Sequence, residues 1–412
     1  MILAPRRRTR SLFLLLAPLS FTIWCLHTYI NTPPPAQYIG DDLHTIESER
    51  SRAARNGIGQ DGLTDQKAQE LCQLYGWKPY RRLGRGQDPP PRRKVYDLFL
   101  LNTELDWLEV RLNELHEHVD YFIIIEANTT FSNRPKPILL NQPEIWQKFA
   151  PFHDKIIHHI VIGQGEHERG PMDHEQFQRD SALTQVFPTL GQPRPNPPDP
   201  PQPYQQYPLS TSAASSLAST PHLGDVILVS DLDEIPRPAT LTLLRTCTFP
   251  RRVNLRSRFY YYSFQWLHQG PDWSHPQATY YEGAQNTLLP TDLRMGVGGG
   301  SILRNWFGTR ADLFNASWHC SSCFATVAEM QNKIRSFSHI KYNRPEFVDK
   351  GMLVHRVRNG LDLFDRKEQV YERVVGNGDL PGFLRGESGR ERFRYMVDRD
   401  GEDGGFRDYY QV

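Results

Sequence analysis

Asp225-Val-Ile-Leu-Val-Ser-Asp231-Leu-Asp233-Glu234-Ile-Pro236 is the stretch that decides the fold. The apolar run Val226 to Val229 follows Gly224 and is too short for a helix, so it reads as a buried strand of a parallel sheet. Carboxylates stand at its carboxyl end, where open α/β sheets place their ligands. On continuing strand geometry Asp231 and Asp233, two residues apart, point the same way. Hard oxygen ligands so placed suit Mg²⁺ or Mn²⁺, which can in turn hold a diphosphate. The competing reading is an acidic turn that caps a helix starting near Pro236.

Outward from this strand the chain alternates strand and helix patterns. Val95 to Leu101 is a strand candidate, and Leu105, Leu108, Leu112 and Leu115 recur at helical spacing within a helix predicted over Glu104 to Glu117. Tyr121 to Ile125 and Ile156 to Ile162 are further strands, Met172 to Phe187 a helix and Ala239 to Cys247 a short helix. The β-α-β order predicts parallel pairing with right-handed crossovers. The aromatic run within Val253 to Leu267 reads as strands, and Ala325 to Phe337 as a helix. Gly296 to Gly300 is a Gly-rich turn without phosphate-loop spacing.

The flanks carry a second message. Arg6, Arg7, Arg8 and Arg10 precede an uncharged apolar stretch, 12–30, long enough to cross a bilayer. The arginines place residues 1–11 in the cytosol and the rest in the secretory lumen, with a cleaved signal peptide as the alternative. Residues 31–93 read as a stem whose Leu71 to Trp77 segment docks on the domain. The folded domain is expected over 94–375, with a Pro-rich disordered insertion at 188–221 and a charged, fraying tail at 376–412.

An oxidising lumen permits disulfides among Cys72, Cys247, Cys320 and Cys323, which allow three full pairings. Cys320-Ser-Ser-Cys323 has no second pair to complete a zinc site. Asn128-Thr-Thr130 and Asn315-Ala-Ser317 are candidate glycosylation sequons. A net charge of +1 over 412 residues gives no electrostatic footprint for a nucleic-acid partner.

Four blocks together resemble glycosyltransferase family 17, the β-1,4-mannosyl-glycoprotein 4-β-N-acetylglucosaminyltransferases. They are Tyr96 to Asn102 leading to Glu109-Val-Arg111-Leu-Asn113-Glu114; Phe122-Ile-Ile-Ile-Glu126 with Thr130-Phe-Ser132 and Pro135-Lys-Pro137; Ser230-Asp-Leu-Asp-Glu-Ile-Pro236; and Ser317-Trp-His-Cys-Ser-Ser-Cys-Phe324 with Lys333-Ile-Arg-Ser-Phe-Ser-His339. The resemblance spans about 95–375. It implies a GT-A-like, Rossmann-type α/β nucleotide-sugar transferase domain behind the anchor and stem. It also implies an inverting, metal-dependent transfer from UDP-GlcNAc to a glycoprotein glycan, and sets the expected address at the Golgi membrane as a single-pass type II protein. Asp180, Ser317 and the Pro-rich insertion depart from the family pattern and leave the acceptor open.

Roles follow from the chemistry such a transfer needs. Asp233 is expected to bind Mn²⁺ or Mg²⁺ directly, and Asp231 directly or through water. His319 is a candidate ligand or diphosphate contact, or else a satisfied core histidine, and His339 is a weaker candidate. Arg179 would reach the diphosphate or uracil, Lys333 and Arg335 the leaving diphosphate, and Glu126 the ribose or uridine. Glu234 and Glu329 are the alternatives for the base that takes the acceptor proton. Tyr260, Tyr261, Tyr262 and Trp266 are either core or a sugar-stacking platform. The rival readings are a HAD-type phosphatase, which also sets Asp-x-Asp at a strand end, and an inactive glycan-binding membrane protein.

Overall fold

The computed structural model describes residues 37–40, 63–81, 92–132, 134–161, 171–192, 212–297, 310–336 and 340–410. The predicted anchor at 12–30, the cytosolic residues 1–11 and most of the Pro-rich insertion lie outside these residues. Among the described residues no helix is long and apolar enough to cross a membrane.

In chain order the elements that position the site are helix α1 (Asp65–Leu74), strand β1 (Val95–Leu101), helix α2 (Leu105–Leu115), strands β2 (Tyr121–Ala127) and β3 (Ile156–Val161) and helix α3 (Pro171–Ser181). There follow β4 (Val226–Ser230), β5 (Glu234–Pro236), α4 (Pro238–Thr246), β6 (Arg252–Tyr261), β7 (Ser263–His268), β8 (Gln277–Tyr280) and α5 (Pro290–Met295). The last are β9 (Arg310–Ser321), α6 (Val327–Ser336), α7 (Lys350–Asn359) and β10 (Tyr371–Arg373).

One mixed sheet runs through the protein in the order β9-β6-β8-β4-β1-β2-β3. The expected parallel unit is present: β1 pairs in parallel with β4 (Leu98 opposite Val229) and with β2 (Leu101 opposite Glu126), and β2 with β3. Both faces of β1 are covered. Val95, Phe99 and Leu101 enter the apolar cluster that also holds Trp107, Leu108 and Leu112 of α2, and Tyr96, Leu98 and Leu100 enter a second with Ala182, Val186 and Phe187. That double burial is why the strands are continuous apolar runs rather than alternating ones.

The antiparallel half was less legible. β6 and β7 are not one run: Tyr262 between them takes a positive φ of 65°, and the chain reverses there. β9 pairs in parallel with β6 and antiparallel with β5, setting His319 opposite both Phe259 and Glu234. The acidic segment is also not a continuing strand. β4 ends at Ser230, the Glu234 N–H donates to the Asp231 carbonyl at 3.1 Å, and β5 starts after that turn.

The stem docks as expected, with Leu71, Cys72 and Tyr75 buried and Cys72 joined to Cys247 at the end of α4. The second bridge is local, Cys320 to Cys323. The tail expected to fray at 376–412 is instead folded over its described part. Leu380, Leu384, Phe393, Met396 and Phe406 are buried, and Asp379 accepts bonds from Arg237 (2.6 Å), Trp318 (2.8 Å) and Tyr260 (3.0 Å). The reason is amphipathic: these scattered apolar residues find partners on α2 and β7 that no local pattern reveals. The insertion is narrower than expected, since Ala213, Ala214 and Ser219 are buried. Of the sequons, Asn315 has its amide bonded at both ends, Nδ2 donating to the Ile39 carbonyl (3.0 Å) and Oδ1 accepting from Arg237 (2.6 Å).

Candidate active site

A cleft of about 700 Å³ opens at the carboxyl ends of β1 and β4. Asp231, Asp233, Arg179, His319 and Lys333, drawn from elements up to 154 residues apart, all line it. His339 lies outside the described residues.

Asp231 is held between two guanidiniums. Its Oδ1 accepts from Arg179 Nη2 at 2.9 Å and its Oδ2 from Arg294 Nη2 at 3.0 Å. Burial alone would raise its pKa, but Arg294 and Arg179 outweigh that and hold it well below the usual carboxylate range. Asp233 has no such partner. The His319 ring stands beside it, with Nδ1 3.7 Å from Oδ1. Burial, with Asp231 and Glu234 close by, pushes the Asp233 carboxyl up against the opposing pull of His319 and Lys333. His319 Nδ1 is enclosed and makes no hydrogen bond among the described residues. Its ring packs against both Phe259 (5.0 Å between centroids) and Trp273 (5.2 Å), which also touch each other, so turning away from Asp233 would break two ring contacts.

This arrangement fits one divalent cation, held by the Asp233 carboxylate and the His319 Nδ1. The fit rests on three facts: an unsatisfied buried nitrogen, a carboxylate repelled by its acidic neighbours, and a borderline donor pair suited to Mn²⁺. Among the described residues no group of three or more His, Cys, Asp or Glu is placed to hold a metal ion. Asp231, expected as a ligand, serves here as the anchor of the two arginines.

Lys333 on α6 bonds Glu104 at 2.9 Å at the mouth of α2. Burial would lower its pKa, yet Glu104 and Asp233 raise it, so the ammonium is charged in the cleft. Arg179, expected to contact the donor, also bonds Glu175 at 2.8 Å. Helices α3 and α5 are tied by the Thr291 N–H donating to Asp180 Oδ1 at 2.8 Å, which sets Arg179 and Arg294 side by side.

Four of the expected site residues, Glu234, Glu329, Glu126 and Arg335, are not among those that line the cleft. Glu234 lies fully buried behind the cleft, accepting from Arg294 (2.8 Å), from the Asp231 N–H (2.8 Å) and from Trp273 Nε1 (2.8 Å). Against the effect of burial, Arg294 keeps its pKa low, so it is a poor proton acceptor. Glu329 forms a capping box with Thr326: Glu329 Oε2 accepts the Thr326 N–H (2.9 Å) and Thr326 Oγ1 the Glu329 N–H (3.0 Å). Glu126 does not reach the cleft; it is buried and bonded to His158 (3.1 Å), Lys136 (3.3 Å) and the Leu140 N–H (3.3 Å). Arg335 is exposed and outside the cleft lining. Of the aromatic block, Tyr260, Tyr262 and Trp266 are core, and Tyr261 alone lines the cleft.

Arg294, Trp273, His275, Phe259, Glu104 and Glu175 are among the cleft residues that sequence reasoning missed. None lies in a spacing motif. The one usable signal was Arg294 in the last turn of a short helix whose C-cap is Gly296, at φ 70°.

A family model described as glycosyltransferase family 17 matches residues 47–193, 202–292 and 304–375. The chain is similar to the β-1,4-mannosyl-glycoprotein 4-β-N-acetylglucosaminyltransferases of Rattus norvegicus and Homo sapiens, 25% identical to each over 383 residues and 84% of this chain. It spans 64% of the rat protein's length and 65% of the human one's. A solved mannosyltransferase from Pyrobaculum calidifontis, in complex with GDP-Man and Mn²⁺, aligns with 76% of this chain and 75% of its own at 9% identity and a TM-score of 0.28.

Proposed function

The chain belongs to glycosyltransferase family 17, and on that premise we propose that it moves N-acetylglucosamine from UDP-GlcNAc to a mannose-containing glycan of a glycoprotein, with inversion at the anomeric carbon. The relatives' names support the sugar and the acceptor class. The observation that carries the reading is the division of labour at the acidic turn. Asp231 and Glu234 are neutralised by arginines, while Asp233 and His319 are left facing the cleft without a strong partner.

Asp233 and His319 would hold Mn²⁺ or Mg²⁺. When bound, the ion supplies Lewis-acid stabilisation of the leaving diphosphate. The protein's own part is electrostatic. Lys333 and the Arg179–Arg294 pair offset the carboxylates along the floor of the cleft, so a diphosphate there would meet guanidinium and ammonium donors rather than uncompensated acids. Phe259, Tyr261 and Trp273 form an apolar wall against which a sugar face can stack.

Inversion needs one base. Two further carboxylates line the cleft: Glu104, committed to Lys333, and Glu175, whose hydrogen bond among the described residues is Oε1 to Arg179. Glu175 is the more exposed of the two, at 22% against 9% for the side chains, and is the proposed acceptor of the hydroxyl proton. The anchor at 12–30 and the Golgi membrane address belong to the same proposal.

A HAD-type phosphatase needs its first aspartate free for attack, and both Asp231 oxygens end on guanidiniums. The test is a donor screen of the full chain with Mn²⁺, then a glycan-array acceptor screen. Turnover of UDP-GlcNAc onto mannose-containing glycans is expected. Release of phosphate from simple monoesters without any sugar transfer would overturn the reading.

A further inference from the structure

His275 is among the polar side chains of the cleft that are neither candidate metal ligands nor part of the arginine clamp. Its backbone is fixed on both sides, since its carbonyl accepts from Ser257 Oγ and the next carbonyl, of Pro276, accepts the Leu255 N–H at 2.8 Å. Its ring meets the Trp273 indole edge-on, 5.4 Å between centroids.

The tautomer follows from a neighbour. His275 Nδ1 faces Gln277 Nε2, which also donates to the Ser274 carbonyl at 2.8 Å. Turning the Gln277 amide over would set its oxygen against that carbonyl, so Nε2 is the donor to both. His275 Nδ1 therefore accepts, and the ring hydrogen sits on Nε2. That nitrogen has no partner among the described residues and is not enclosed by protein, so it opens to the cleft. Burial and the nearby Arg294 lower the His275 pKa against the pull of Glu234 and Asp231, which keeps the ring neutral. Arg294 itself is committed to those two carboxylates.

A neutral N–H donor beside a partly exposed indole matches a ligand group with a neutral carbonyl next to a methyl. An acetamide has both; a sugar hydroxyl has neither. We propose that His275 is a specificity-determining residue, donating Nε2–H to the acetamide carbonyl of an N-acetylhexosamine whose methyl packs on Trp273. This rests on the proposed donor class.

The test compares kcat/KM for UDP-GlcNAc and UDP-glucose in the full chain and two variants. His275→Phe is expected to shrink the preference for UDP-GlcNAc by on the order of 10-fold or more, mainly through KM, because the carbonyl then lacks its donor. His275→Gln, whose amide nitrogen falls near the Nε2 position, is expected to restore most of it. In ¹⁵N-histidine spectra of the wild type, the His275 signal should report an Nε2-protonated ring that shifts with UDP-GlcNAc and not with UDP-glucose. An unchanged preference in an active His275→Phe, or an Nδ1-protonated ring, overturns the role of His275 alone. A wild type that turns over no N-acetylhexosamine nucleotide overturns the donor class and the acetamide contact together.

Discussion

Arg111 and Asp97 form a two-pronged ion pair in the dry core, Nε to Oδ2 at 2.8 Å and Nη2 to Oδ1 at 2.6 Å, with both side chains fully buried. The same guanidinium donates to Ser230 Oγ (2.6 Å) and to the carbonyl of Glu234 (2.8 Å). Helix α2 thus holds the acidic turn from below, and a residue outside the cleft lining sets the backbone on which Asp231 and Asp233 sit.

Arg111→Met should therefore destabilise the fold by about 3–5 kcal/mol, because it leaves a buried carboxylate unpaired. Urea unfolding of the single variant and of Arg111→Met with Asp97→Leu checks this. The double variant is expected to recover part of the loss; a single variant within error of the wild type would contradict the assignment.

Asp233→Asn should remove nearly all transfer, and His319→Ala should weaken Mn²⁺ affinity by at least about 10-fold, the loss typical when a metal site is disturbed. Calorimetric titration with Mn²⁺ reads both. Asp231→Asn is expected to weaken Mn²⁺ less, since its oxygens are engaged by Arg179 and Arg294. Equal loss in Asp231→Asn and Asp233→Asn would return Asp231 to the ligand set.

The two glutamates nearest the question of the base should separate. Glu175→Gln is expected to lower kcat by about 10²–10⁴-fold, the range for loss of a positioned base. Glu234→Gln loosens Arg294 and should cost less. If Glu234→Gln proves the more damaging and alters the pH–rate profile, the base assignment falls.

His159 makes stability depend on pH. Burial holds its pKa below the ordinary histidine value of 6.5, although its bond to Gln185 (2.9 Å) opposes this. The folded state therefore disfavours the protonated ring. Its contribution is present above pH 6.5 and is lost as pH falls toward the lower folded value. Stability measured from pH 7 to 5 should decline, and His159→Phe should flatten part of that slope.

What was legible in the sequence was local. The apolar runs of β1, β2 and β4 and the leucine spacing of α2 are short-range patterns, and their alternate burial on two faces follows from them. The Thr326-x-x-Glu329 spacing is that of a capping box, a local pattern that weighing Glu329 as a base passes over. Glu234 could not be placed from sequence, because its burial depends on β9 lying opposite β5.

By itself the sequence determined the parallel sheet, the position of the acids at a strand end and the docking of Leu71 to Trp77. Only the tertiary structure decided which acid is free. Arg294 stands 63 residues from Asp231 and 60 from Glu234, and it neutralises both. A carboxylate's role is set by the charges and the desolvation around it, and those come from contacts that no local spacing encodes.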